Sequence, residues 1–470
     1  MRRIEEPLST SDPVSLGRLE DISRGPIFEE LFRAIVTGSD EVLVSVPLGQ
    51  PDVAEAPHPA KSRLGVVALV PLTAAAALII ALIAVPGVPG TQRSHGALGH
   101  GHQTNGVTAK APAWRLVGDV SRAWQVRPTS GFEPDFFITC PTTTTCYVGN
   151  LGTTPGTADL EVTNDGGNTW QQIGLPVTLS MASRLACVGA ATCALLGVDG
   201  SGNSYFLETT DGGQSWTTSP GPGQLTSAIG LVRMSCTSVS SCVAIASDPS
   251  GQTGTASAYV TDDGGNTWAE TSLPQNYAPE GLQCAGASMC ATIGIVQPAG
   301  SATAPPLMAL YSTDGGSTWA TASLPSTRGG IIRLSCADAS DCIASLFGRA
   351  GTTDTELLSS DGGQTWADSG SSLPQATLAL TCPSAADCWA SGLVVPHQSG
   401  QPSQATSASG AISFTTDEGQ TWQAAALPNG LGPVVDVSCP SDTNCFAIAL
   451  QAVSGQPDVF YDPVLLTYGN

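Results

Sequence analysis

The chain has 470 residues, a formal net charge of −22 and a hydrophobic content of 41%. That length allows two or three domains, and the acidic balance argues against a protein that holds nucleic acid by neutralising phosphates. Only two of its 17 basic residues are lysines, Lys61 and Lys110, a compositional bias of the kind found in GC-rich bacterial genomes.

Residues 1–63 are polar, carry Pro and acidic residues, and show no repeat. Within them residues 26–36 are amphipathic: Ile27, Phe28, Leu31, Phe32, Ile35 and Val36 alternate with Glu29, Glu30 and Arg33. Gly25-Pro26 can start a helix there and Gly38 can end it. Two readings stand, a docking helix for a cytoplasmic partner or a transient helix in a largely disordered tail.

Residues 64–85 run from Leu64 to Val85 without a charge. A helix of that length crosses a bilayer, and Pro71 near its start is tolerable there. More than sixty residues precede it, so it does not read as a signal peptide. Lys61 and Arg63 flank one side, and the other has no basic residue before Arg93. The expectation is a single-pass membrane protein, N-terminus cytoplasmic, with the remainder outside. Residues 86–112 read as a Pro/Gly/His-rich stalk. His95, His100 and His102 lie in it without the fixed geometry a metal needs, so no metal or cofactor is expected.

Residues 113–470 contain two interleaved repeats. The first is Thr261-Asp262-Asp263-Gly264-Gly265-Asn266-Thr267-Trp268 and five similar turns, whose acidic residues are Asp165, Asp211, Asp314, Asp361 and Asp417. Asp accepts backbone N–H bonds just ahead of it, Gly allows positive φ, and Trp starts the returning strand with its ring toward a core. The second repeat is Cys-x5-Cys, seven times: Cys140/Cys146, Cys187/Cys193, Cys236/Cys242, Cys284/Cys290, Cys336/Cys342, Cys382/Cys388 and Cys439/Cys445. Apolar segments flank each pair, so it reads as a hairpin stapled by a disulfide between opposed positions at the ends of its two strands. Seven structural disulfides need an oxidising compartment, in agreement with the charge asymmetry around residues 64–85. Repeated metal sites are the alternative, disfavoured by the lack of a recurring His.

Together the repeats define a unit of four antiparallel strands with a period of roughly 46 to 57 residues, which is the signature of propeller blades. Seven Cys pairs but six turns imply a seventh blade shared between the chain ends. Val464-Leu465-Leu466-Thr467-Tyr468 supplies its third strand. Trp124 precedes Cys140 by 16 residues and Trp170 precedes Cys187 by 17, so Val120–Gln125 is expected to be its fourth. The fold class is all-β: a seven-bladed propeller of four-stranded blades closed N- to C-terminus, preceded by one transmembrane helix.

The motif Ser/Thr-x-Asp-x-Gly-x-Thr/Ser-Trp resembles the Asp-box (BNR) repeat over roughly residues 115–470. Asp-box propellers include sialidases, xyloglucanases, sortilin-type receptors and photosystem II assembly factors, and the blade count looks most like the last group. The resemblance implies that the box residues are structural, at a blade periphery away from a central site, and that the role is one of scaffold or assembly.

The Cys hairpins and acidic turns share one face and are uniform. The opposite face, with loops such as 299–306, 395–410 and 454–463, is variable and is the expected binding face for a protein or envelope glycan. Three residues before the first Cys of a pair stand Arg184, Arg233 and Arg333 in blades two, three and five. They read either as a basic cluster near the channel that recognises carboxylates or as pairing between blades. A glycosidase of sialidase or xyloglucanase type is the alternative function, with those arginines, Tyr277 and Glu280 imitating a sialidase site. No Arg-Ile-Pro motif is present, and His397 is the only His of the propeller. The function expected is therefore a non-catalytic binding or assembly module.

Overall fold

The computed structural model describes residues 113–120, 136–150, 159–223, 233–247, 256–296, 306–325, 332–346, 354–394, 409–452 and 461–469. The tail, the span 64–85 and the stalk lie outside these residues. Among the described residues no helix is long and apolar enough to cross a membrane. The described strands form seven antiparallel sheets, six from consecutive segments and one from both ends of the domain.

Blade three shows how the two repeats build a sheet. Arg233–Cys236 pairs with Cys242–Ser247, which pairs with Ala256–Thr261, which pairs with Ala269–Ser272. Cys236 stands opposite Cys242. All seven expected disulfides are formed: Cys140–Cys146, Cys187–Cys193, Cys236–Cys242, Cys284–Cys290, Cys336–Cys342, Cys382–Cys388 and Cys439–Cys445, with Cα–Cα distances of 4.0 or 4.1 Å. That closeness belongs to the non-hydrogen-bonded pairs of an antiparallel ladder. Equal spacing thus puts every Cys pair in the same register.

The two cysteines of a pair are opposed as expected but are not equally covered. The second of each pair, Cys146, Cys193, Cys242, Cys290, Cys342, Cys388 and Cys445, is at most 2% exposed. The first is less covered, and Cys187, Cys236 and Cys439 are only partly buried. The physical reason is position in the sheet. The second Cys opens the second strand, which has a strand on either side, whereas the first closes an edge strand. All fourteen cysteines are paired and serve as staples of the hairpins.

Each acidic turn is a closed hydrogen-bond ring. In blade three the Asp263 carboxylate accepts from the hydroxyls of Thr261 and Thr267 and from the Thr267 N–H, and the Gly265 N–H donates to Thr261 Oγ1. The first glycine of the turn donates to a carbonyl in the Cys hairpin of its own blade, as Gly264 does to Ser240 at 3.0 Å. Cys hairpins and acidic turns therefore share one face, as expected.

The second glycine has a different reason to be glycine. It has positive φ, and a Cβ there would strike the preceding blade: Phe206 for Gly265, Val243 for Gly316, Leu465 for Gly167. The tryptophan that follows packs on that same preceding blade. Trp216 lies with Tyr147 and Leu160, Trp268 with Phe206, and Trp422 with Ile343 and Leu358. The apolar clusters are the seams between blades, and one such indole enters each.

Ring closure is borne out, but the closing strand is Arg115–Asp119, not Val120–Gln125. It pairs with Tyr461–Tyr468, Arg115 opposite Thr467 and Asp119 opposite Val464. Trp114, not Trp124, is the seventh indole. It is 4% exposed, meets Trp389 edge-on at 5.7 Å, and its backbone N–H donates to the Ala426 carbonyl in blade six. The Trp366 backbone N–H bonds the Ser323 carbonyl in blade four in the same way. Trp124 lies outside the described residues. The spacing argument failed because the interval from an indole to the next Cys spans the connection between blades, whose length the repeat does not fix: Trp114 precedes Cys140 by 26 residues, against 17 for Trp170 and Cys187.

Candidate functional site at the inner strands

The first strand of every blade lines the inside of the ring, and its inner edge has no strand partner. Unpaired edges need something to satisfy their N–H and C=O groups. Here side chains of one blade reach the backbone of the next. Ser235, Ser335 and Ser438 stand one residue before the first Cys of blades three, five and seven. They accept from the N–H of Cys284, Cys382 and Cys140, the first Cys of the following blade, at 2.9 to 3.0 Å.

The arginines belong to this system of hooks. Arg233 donates from Nε to the Glu280 carbonyl in blade four at 3.0 Å, and Arg333 donates from Nε to the Leu378 carbonyl in blade six. Both acceptors lie four residues before the first Cys of their blade. Arg184 behaves differently because the first strand of blade two is broken into Met181–Ala182 and Ala186–Cys187. From that break its Nη1 reaches the Asp436 carboxylate of blade seven at 2.8 Å. The same Asp436 Oδ2 accepts the Ile138 N–H of blade one at 2.9 Å. Asp436 is buried and Arg184 half exposed, so the buried carboxylate holds an accessible guanidinium in place across three blades.

The three arginines thus each bond a different blade, and each carries a between-blade bond. The recurring hydroxyl before the first Cys was the signal that sequence reading passed over. Tyr277, the nucleophile of the hydrolase alternative, is buried with its hydroxyl 3.0 Å from Thr292 Oγ1, and burial pushes its pKa up. It cannot attack a substrate from there. Among the described residues no cluster of His, Cys, Asp and Glu suits a metal by itself.

Of the loops between second and third strands on the opposite face, only that of blade two, Asp199–Asn203, lies wholly within the described residues. The Asp199 carboxylate accepts from the N–H groups of Ser201 and Asn203, from Asn203 Nδ2 and from the Tyr205 hydroxyl. These bonds lower its pKa to about 2, the Asn203 side chain contributing most. The loops 299–306, 395–410 and 454–463 fall largely outside the described residues, and His397 wholly so.

Comparisons with known proteins agree with the fold. Residues 153–331 match the family described as the DUF6242 beta propeller domain. Among solved structures the chain is similar to YCF48 bound to D1 peptide, at 17% identity and TM-score 0.46, covering 77% of this chain and 100% of that one. It is similar to YCF48 from Cyanidioschyzon merolae at 14% identity and TM-score 0.45, covering 76% and 98%. The GH74 xyloglucanase from Xanthomonas campestris is similar at 16% identity and TM-score 0.41, covering 67% and 63%. No curated protein matches the chain.

Proposed function

We propose that this is a membrane-anchored extracytoplasmic propeller that binds a protein or cell-envelope ligand and does no chemistry on it. The observation that carries the reading is the contrast between its two faces. Every Cys hairpin has the same five-residue loop. The connections between second and third strands range from five residues in blade two to fourteen in blade six. Variable loops on a stapled frame are the arrangement that recognition uses. The charged groups of the inner strands support the same reading, because they are engaged in holding blades together.

The disulfides and the uncharged span 64–85 favour an exported domain on a cytoplasmic N-terminus. Residues 26–36 would then offer a second contact inside the cell. The test is site-specific photocrosslinking in the native host, with the crosslinker at Ser201 on the variable face or at Asn266 on the turn face. One partner captured from Ser201 and not from Asn266 is the expected result. Capture from Asn266 alone would move the interface to the other face. Turnover of a sialoside or glucan by the purified chain would instead favour the hydrolase reading.

A further inference from the structure

The recurring turns put five Asp-Gly pairs on one face: Asp165-Gly166, Asp211-Gly212, Asp263-Gly264, Asp314-Gly315 and Asp361-Gly362. In Asp-Gly and Asn-Gly the side-chain carbonyl carbon is open to attack by the next backbone nitrogen, because glycine has no Cβ to obstruct the ring that forms. The attack needs a side chain free to swing, an N–H free to lose its proton, and a group able to leave.

The turn pairs meet none of these needs. Each carboxylate is held at both oxygens by the residues two before and four after it, as Asp314 is by Ser312 and Thr318. Each following glycine N–H donates to a hairpin carbonyl, of Thr144, Ala191, Ser240, Ser288 and Ser340 in turn, at 2.8 to 3.0 Å. Hydrogen bonds, with that from the hydroxyl four residues on as the largest effect, hold the Asp165, Asp211, Asp263 and Asp314 carboxyls below the usual range. Ionised carboxylates offer no leaving group.

Asn429-Gly430 is the opposite case. These residues form the turn between Gln423–Ala424, the last strand of blade six, and Leu431–Ser441, the first of blade seven. Strand direction places it on the face opposite the Cys hairpins, the face that carries Asp199–Asn203. Gly430 has a φ of 83°. Both residues are exposed, and a Cβ built on Gly430 would have nothing within 4 Å. Among the described residues neither the Asn429 amide nor the Gly430 N–H is held by a hydrogen bond. The chain has one other Asn-Gly pair, Asn105-Gly106, which lies outside the described residues.

We propose that Asn429 is a site of spontaneous deamidation. Hydroxide removes the Gly430 amide proton, the Gly430 nitrogen bonds to Asn429 Cγ, and the Cγ–Nδ2 bond breaks, the nitrogen taking a proton from water and leaving as ammonia. Water then opens the cyclic imide at either carbonyl and leaves aspartate or isoaspartate. Either product adds a carboxylate to the variable face. Isoaspartate also inserts a carbon into the backbone just before Leu431, which is buried in the seam between blades six and seven. The reaction needs only water, so it does not rest on what this face binds.

The test incubates the purified full chain at neutral and at mildly alkaline pH and maps its peptides over time by mass spectrometry. Enzymatic methylation of isoaspartate is the second readout. The peptide holding residue 429 is expected to convert from amide to acid, faster at the higher pH, and to take up methyl groups, while the five turn peptides take up none. In denaturant the turn pairs should begin to isomerise, since the fold no longer holds them. Asn429→Gln should lose the product at 429, because its longer side chain closes a larger ring far more slowly, with the unfolding midpoint unchanged. A 429 peptide that stays an amide, whether or not Asn105 converts, would overturn the site. So would turn pairs that isomerise in the folded chain as fast as Asn429 converts, or a conversion at 429 that requires denaturant.

Discussion

A single Cβ measures how tightly the acidic turn is fitted. At Gly265 a methyl group would lie 2.3 Å from the Phe206 ring, whereas at Gly264 the nearest atoms are 3.8 Å away. Both residues have positive φ, so alanine strains the backbone at either position, but only Gly265→Ala also collides with blade two. Gly265→Ala is expected to cost about 2–4 kcal/mol and Gly264→Ala about 1 kcal/mol, measured by denaturant unfolding. The carboxylates of the same turns give a second test. Hydrogen bonds from the Thr169 side chain and backbone hold Asp165 at about 2, and those from Ser215 do the same for Asp211. Since these values are depressed in the folded protein, the stabilisation is present above the ordinary Asp value of about 4 and is lost as pH falls toward about 2. Carboxyl-carbon NMR should show both midpoints near the lower value. Thr169→Val should return Asp165 alone toward the ordinary one.

At the scale of the element, the closing strand Arg115–Asp119 matters most. Its outward residues Leu116 and Val117 are exposed, so the strand is held by its ladder and by Trp114 rather than by a buried face of its own. The Trp114 ring fills the seam between blades six and seven against Trp389, Phe414 and Tyr468. Trp114→Ala is expected to cost about 3–5 kcal/mol and to make the strand protease-sensitive before the rest of the ring. Limited proteolysis with mass spectrometry reads this directly: first cuts within 113–120 are expected, and equal cutting of all blades would show that closure does not depend on this indole. The same scale explains why the arginines were hard to read. Their position three residues before Cys was visible in the sequence, but whether such a side chain meets solvent or a neighbouring carbonyl depends on how far the next blade stands. For Arg184 it depends on a break in its own strand.

For the whole molecule, the question is what makes a ring of such small core residues rigid. Many seam positions are alanine, such as Ala244, Ala258, Ala291, Ala309 and Ala344, so apolar burial per blade is modest. Each disulfide closes a short hairpin and contributes about 2 kcal/mol by the chain-entropy account. Single Cys-pair replacements are expected to lower the unfolding midpoint by similar amounts in each blade. Full reduction should lower it by far more than any one of them. A midpoint insensitive to reductant would show that the seams alone hold the ring.

The sequence by itself determined the blade count, the disulfide pairing, the shared face of Cys hairpins and acidic turns, and the need for a strand from the N-terminal side to close blade seven. All of these follow from local spacing: a turn and a hairpin fix strand direction and register within one blade, whatever lies beside it. The tertiary structure alone decided that the second Cys of each pair is sealed while the first is less covered, that Trp114 closes the ring, and that the second turn glycine answers to the preceding blade. It also decided that Asp436 orients Arg184 and that Asn429 stands exposed. Each depends on what packs against a strand from outside it, set by how seven sheets stack around an axis, and no interval between residues in one chain records that distance.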